Sequence, residues 1–341
     1  MPITRSYSNA FEVVDRTQEL QLVPNSWTLL GDSGLFAEEM LTQHTVTFTE
    51  DKRTLGLITD QVRGGKNQAN LNDYRKNHSY SMTHHPIVDA LHPWDVQGKS
   101  AYGNLDQADT TAAAIARKME KIKKSYAVTK EVARFLTLGT GNIWAPNGTI
   151  AGNFYTDFGI TRKQVDFVLG TATTDIIAKC EEIIASFQDS AQDGSVITGV
   201  TAYCSPEFFS ALISHAKTQA SFAYQQQSAV NQDILRGRTG GSGLYRKFDF
   251  GGVKFVEVRT VLAGQKLITA KDAIFVADGV DDAFVTYYGP ALRFGFENTV
   301  AMPEYMWTFQ EPRGTEITIE AESNFINVLR KPNLVARAFT A

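Results

Sequence analysis

Cysteine is scarce. The 341 residues include two, Cys180 and Cys204, too few for a disulfide framework or a cysteine-rich zinc site. Long apolar runs are missing: nothing approaches the roughly 18 to 20 consecutive apolar residues of a membrane-spanning helix. No apolar stretch follows Arg5, so no leader peptide is expected and a cytosolic setting is. Positive charge is not in excess. Lys plus Arg number 33 against 37 Asp plus Glu, a net charge of -4, which excludes a chain that coats nucleic acid with its whole surface. At 43% hydrophobic and 21% charged residues, the composition is that of a soluble, folded protein of about two domains.

Catalytic signatures are missing too. Arg236-Gly237-Arg238-Thr239-Gly240-Gly241-Ser242-Gly243 is glycine-rich but has no Gly-Lys-Ser or Gly-Lys-Thr, so it is not a phosphate loop. Leu244 follows Gly243, so the nucleophile elbow fails as well. Asp189 to Gly194 begins like a calcium loop, but Ala191 and Val200 occupy positions that should supply oxygens. His84, His85 and His92, with His78 nearby, invite a metal reading. Adjacent histidines on a strand point to opposite faces, there is no His-Glu-x-x-His, and further ligands are lacking. The expectation is no catalytic site, no metal and no cofactor, with both cysteines read as small core residues.

What is there is a string of dissimilar parts. Residues 1–40 carry scattered apolar positions broken by Pro24, Gly31 and Gly34, as in an arm that needs a partner surface. Residues 41–95 read as a long two-stranded excursion: Thr45–Phe48 and Leu55–Ile58 as strands about a turn at 50–52, a polar Gly64-Gly65 stretch, then a returning strand at 79–83. Such a hairpin is not stable alone, and no platform for it is evident nearby. A long helix is predicted over 107–137, from Ala112, Ile115, Met119, Ile122 and Tyr126. Five cations, Arg117, Lys118, Lys121, Lys123 and Lys124, crowd eight of its residues. That run reads as a solvated face or as a face that sees a polyanion. Asn147-Gly148 marks a hairpin turn, and Val165 to Phe187 suggests an amphipathic helix over 162–187. Then come a strand at 196–204, a helix capped by Ser205 with Pro206 in its first turn, and strands at 253–258, 273–276 and 284–288. Glu316 to Glu322 alternates as if one face were wet, and strands at 326–329 and 334–339 close the chain.

Strand-proline-helix at Val200 to Leu212, the strand Gly251 to Val258, Met302-Pro303-Glu304-Tyr305-Met306-Trp307, Glu316 to Glu322 and Leu334 to Phe339 together resemble the phage lambda major head protein family, also called major capsid protein E. The resemblance implies an α+β, Hong Kong 97-like viral capsid fold. It implies an N-terminal arm at 1–40, an extended loop at 41–95 and a peripheral domain over 96–195 and 285–341, with the 107–137 helix as its spine. An axial domain would occupy 196–284. It further implies a major capsid protein of a tailed, double-stranded DNA phage, assembled in the host cytoplasm as hexamers and pentamers of an icosahedral shell. A scaffolding protein, a portal, in some relatives a decoration protein, and packaged DNA would be partners. Under it, Arg117, Lys118, Lys121, Lys123 and Lys124 are candidate lumen-facing cations. Lys52, Arg53, Arg63, Lys66 and Arg75 belong to the intersubunit loop, and Arg236, Arg238, Arg246 and Lys247 to a loop at the capsomer axis. No Lys66–Asn67-type covalent cross-link is expected, since no acceptor is evident. An encapsulin shell, a soluble α/β enzyme built on the glycine-rich loop, and a phage tail or adaptor protein are the rival readings.

Overall fold

Two six-stranded sheets and a 30-residue helix organise the chain. The computed structural model describes residues 14–23, 28–52, 74–98, 100–101, 104–108, 110–144, 150–191, 195–225, 246–258, 261–262 and 264–340. In order, the elements are β1 (Val14–Asp15), α1 (Thr17–Leu22), α2 (Leu29–Ser33), β2 (Ala37–Met40), β3 (Thr45–Lys52), β4 (Tyr74–Ser81) and β5 (Thr83–Leu91). Next come β6 (Ser100–Ala101), β7 (Asn104–Ala108), α3 (Thr111–Thr140), β8 (Asn142–Trp144), β9 (Ile150–Asn153), α4 (Phe154–Asp157) and β10 (Gln164–Asp166). Then follow α5 (Ile176–Ser190), β11 (Gly199–Cys204), α6 (Pro206–Ser214), α7 (Ala216–Gln225), β12 (Lys247–Phe250) and β13 (Val253–Glu257). The last are β14 (Val261–Leu262), β15 (Gln265–Lys266), β16 (Asp272–Asp278), β17 (Phe284–Tyr288), β18 (Tyr305–Gln310), β19 (Ile317–Leu329) and β20 (Val335–Phe339).

The chain divides into two compact units. The first comprises Met1–Val46, Ser81–Ala133 and Thr286–Asn327. Its sheet runs β1-β18-β19-β17-β2, with β5 also paired to β19. One face packs on α3, where Ala114, Ile115, Met119, Ile122 and Tyr126 meet Met306, Ile319 and Ala321. The opposite face is covered by the loop at 289–304. There Glu322 accepts from Leu292 N at 2.7 Å, and Arg293 pairs with Glu320. The wet face predicted for 316–322 is present in part: Glu316, Thr318 and Glu320 stay partly exposed, while Glu322 is buried beneath the loop. The expected separate strand at 326–329 is the continuation of β19.

The second unit comprises Thr47–Tyr80, Arg134–Val285 and Val328–Ala341. Its mixed sheet runs β10-β20-β16-β11-β13-β12, with β11 parallel to β13 and antiparallel to β16. Phe167, Phe208, Phe255 and Phe275 interlock in its core. Ser205 caps α6 through Phe208 N, as predicted. The 162–187 helix is not as predicted. Gln164–Asp166 is a strand against β20, and the helix begins only at Ile176, capped by Asp175. Gly170 and the threonines at 171, 173 and 174 disfavour helix, while Val165, Val168 and Leu169 mimic helical spacing by coincidence. The α3 terminus requires glycine at Gly141, which sits at φ +73 where a Cβ would lie 2.3 Å from the Tyr155 ring.

Candidate functional site

The five cations on α3 do not share one face. Lys118 Nζ is held by Asp89 Oδ2 at 2.7 Å and Ala90 O at 2.8 Å. Burial pushes the Asp89 carboxyl up, but the hydrogen bonds from Lys118 and the Ala90 amide, with the charges of Lys118 and Lys121, outweigh it and hold it below its ordinary value. Lys123 is 4% exposed and donates to Leu20 O at 3.0 Å and Gln21 O at 3.3 Å. The expected set of five surface cations thus loses Lys123 to the interior and Lys118 to an intrachain pair. Arg117, Lys121 and Lys124 are exposed.

Lys123 works together with Glu131, a residue the sequence reading did not single out. Glu131 is 2% exposed and accepts from Leu30 N at 2.8 Å and Gly31 N at 3.3 Å. Those two amides lie in the first turn of α2, whose N-cap Thr28 makes no side-chain cap bond. The two carbonyls on Lys123 lie in the last turn of α1. A cation at a helix C-terminus and an anion at a helix N-terminus each match the local dipole. With β1 paired to β18 and β2 to β17, this pair seats the described part of residues 1–40 on its own unit. The expectation of an arm needing another surface is corrected for residues 14–23 and 28–40.

The hairpin β3–β4 is confirmed as a long two-stranded element, though β3 runs straight through the predicted turn at 50–52. Its root has a platform in its own chain, contrary to expectation. Phe48 stacks on Phe158, His78 lies tilted against the same ring with centroids 4.6 Å apart, and Tyr80 meets Phe154 edge-on. Tyr80 Oη donates to Asp157 Oδ2 at 2.8 Å, and Lys76 Nζ to Asp157 O at 2.7 Å. The opposite face is polar, with Thr49 bonded to Asn77 at 2.9 Å. Lys52 and Arg75 lie on these strands. Arg53, Arg63, Lys66, Asn67 and the predicted strand Leu55–Ile58 fall outside the described residues.

Arg236 and Arg238 are also outside the described residues. Arg246 is described, and it is not a loop cation on offer. Its guanidinium makes a bidentate pair with Glu257, both bonds 2.7 Å, and lies 5.0 Å from the Phe209 ring. Lys247 is exposed on the edge strand β12.

No cluster of potential metal ligands exists among the described residues. His84 and His85 do face opposite ways: His84 is exposed and bonds Asn324 Oδ1, while His85 is buried and stacks on Phe325 at 4.5 Å. Thr83 Oγ1 donates its one hydrogen to Phe325 O, so its 2.8 Å contact with His85 Nε2 requires the proton on Nε2. Burial, then the neighbouring His84, lowers the His85 pKa from 6.5 to about 4. Between those values the unfolded chain binds the proton and the native one does not, so stability falls as pH falls. Unfolding of the isolated chain should lose about 2–3 kcal/mol from pH 6.5 to 4 through this group. In His85→Gln the slope between pH 6.5 and 5 should flatten; an unchanged slope would assign it elsewhere. Burial also raises both thiols, Cys180 to about 12, with Glu181 adding to it, which agrees with cysteines serving as core residues.

A family model, phage major capsid protein E, matches residues 12–340. The major capsid protein of Pseudomonas phage KPP10 is 36% identical, covering 98% of this chain and 99% of its own. That of Salmonella phage Felix O1 is 26% identical, covering 98% and 97%. The capsid of Ralstonia phage GP4 shares the fold at a TM-score of 0.52 and 11% identity, over 100% of this chain and 96% of its own. The architecture is the Hong Kong 97-like fold of phage capsids. The chain belongs to the phage major capsid protein E family.

Proposed function

We propose that this chain is the head-shell subunit of a tailed, double-stranded DNA phage, grouping as hexamers and pentamers that close an icosahedral container. The observation that carries this reading is the family match along 12–340, joined end to end by a 36% identical major capsid protein. The structure supports it in kind. Among the described residues β3 and β4 pair only with each other, which leaves strand edges on which a neighbouring copy can add. Many weak contacts per subunit then sum through effective concentration. The role is structural and not enzymatic, in the virion, after assembly in the host cytoplasm with a scaffold and a portal. Arg117, Lys121 and Lys124 are exposed on α3 and would meet packaged DNA in a salt-dependent, sequence-independent way.

Electron microscopy of the chain produced with its neighbouring genes tests the reading. Closed, faceted shells are expected. Tubes or rings would favour a tail or adaptor protein, and discrete small oligomers a soluble enzyme. Shells that enclose a cargo protein and never DNA would favour an encapsulin.

A further inference from the structure

The loop joining β17 to β18 holds an aromatic ring out in solvent on a braced frame. Phe294 is 97% exposed, Leu292 72% and Val300 63%. The loop carrying them is fastened at many points. Leu292 N bonds Glu322, Arg293 pairs with Glu320 and lies 4.3 Å from the Trp307 ring, and Phe296 packs edge-on against Tyr305 and Trp307. Thr299 Oγ1 bonds Phe296 O at 2.7 Å, and Ala301 N bonds Leu41 O at 2.9 Å. Beside the ring lies a largely apolar groove of about 720 Å³, walled by Thr42 to His44 on one side and by the loop on the other. Gly289 lets the walls close up: a Cβ there would lie 2.6 Å from Met82 Sδ.

We infer that this loop is a self-complementary contact, in which Phe294 of one copy seats in the groove of a second copy of the same chain. Knob and groove are adjacent on one surface, so every copy brings both. The frame fixes the ring before contact, which lowers the ordering cost of association. Area argues for a copy within a shell over a free dimer. Burying Phe294 and its two apolar neighbours removes a few hundred Å² per copy, since a large aromatic residue buries about 150–250 Å². A stable dimer needs about 800 Å² per partner. The contact is thus too small to act singly and suits a lattice that repeats it many times. It rests on the shell-subunit reading.

The test mixes two single variants, Phe294→Cys and Gln43→Cys, co-assembles them and adds a short bismaleimide. Cys180 and Cys204 are buried, so the introduced thiols are the ones available. Cross-linked dimers well above those from either variant alone are expected in shells, and none in unassembled subunits. Independently, Phe294→Asp should raise the concentration needed for assembly at least about tenfold, the factor that about 1.4 kcal/mol of lost contact makes, while the subunit's unfolding midpoint stays put. Shells of mixed variants without dimers above the single-variant level would overturn the contact, as would Phe294→Asp assembling at the unaltered concentration. So would Phe294→Asp shells that form normally but fail to bind a different protein of the virion, since the ring's partner would then not be a second copy. An unaltered chain that forms no shells would remove the shell-subunit reading itself, and this contact with it.

Discussion

Arg246→Ala should cost the subunit about 3–5 kcal/mol of unfolding free energy, as breaking a buried ion pair from one side does. Glu257 is wholly buried, and Arg246 gives it two charge-assisted bonds of 2.7 Å in a matched fork. The arginine also lies over the Phe209 ring, so truncation removes packing as well. Arg246→Lys keeps a charge but cannot fork, and should recover less than half of the loss. The double variant Arg246→Met with Glu257→Leu should return to within about 1 kcal/mol, because no carboxylate is then left buried without its partner. Urea unfolding of dissociated subunits reads all three. A loss under about 1 kcal/mol in Arg246→Ala would show that the pair contributes no more than a surface bridge does.

Glu131→Ala should cost about 3 kcal/mol, and the loss should be local. It withdraws an ionised acceptor from two first-turn amides of α2, one of them on the fully buried Leu30. Charged hydrogen bonds contribute about 1.5–3 kcal/mol each, and a buried amide left unsatisfied adds to the cost. Glu131→Gln keeps one acceptor oxygen and should lose about half as much. Lys123→Met should be milder, at about 1 kcal/mol, because burial already depresses the Lys123 pKa and so opposes its charge, while Met refills the space. Hydrogen exchange should show residues 17–22 and 29–33 losing protection with β16 and β11 unchanged. Equal protection in all variants would mean that the β1–β18 pairing and apolar packing alone hold the segment.

The legible parts were those with local signatures. Ser205-Pro206 fixed the start of α6, the short apolar runs at 273–276, 284–288 and 334–339 gave β16, β17 and β20, and the spacing of Ile115, Met119, Ile122 and Tyr126 gave α3. The order of these parts was enough to suggest the family. What stayed hidden depends on distant partners. Glu131 and Lys123 look like ordinary helix-surface charges until α1 and α2 are placed against them. Arg246 looked like a loop cation because Glu257 is eleven residues away across a strand pair. The apolar positions at 165, 168 and 169 fitted a helix because the pairing of 164–166 with β20 is invisible to a local window. Phe294 carries no signal at all in a sequence with 21 phenylalanines; only its exposure distinguishes it.

Sedimentation velocity of the purified chain, run as concentration is raised under assembly conditions, weighs the central proposal most directly. A single boundary of the 341-residue subunit should give way, above a sharp threshold, to one fast boundary of closed particles with little between them. A subunit that stays monomeric, or stops at a dimer or tetramer, at every concentration would contradict it.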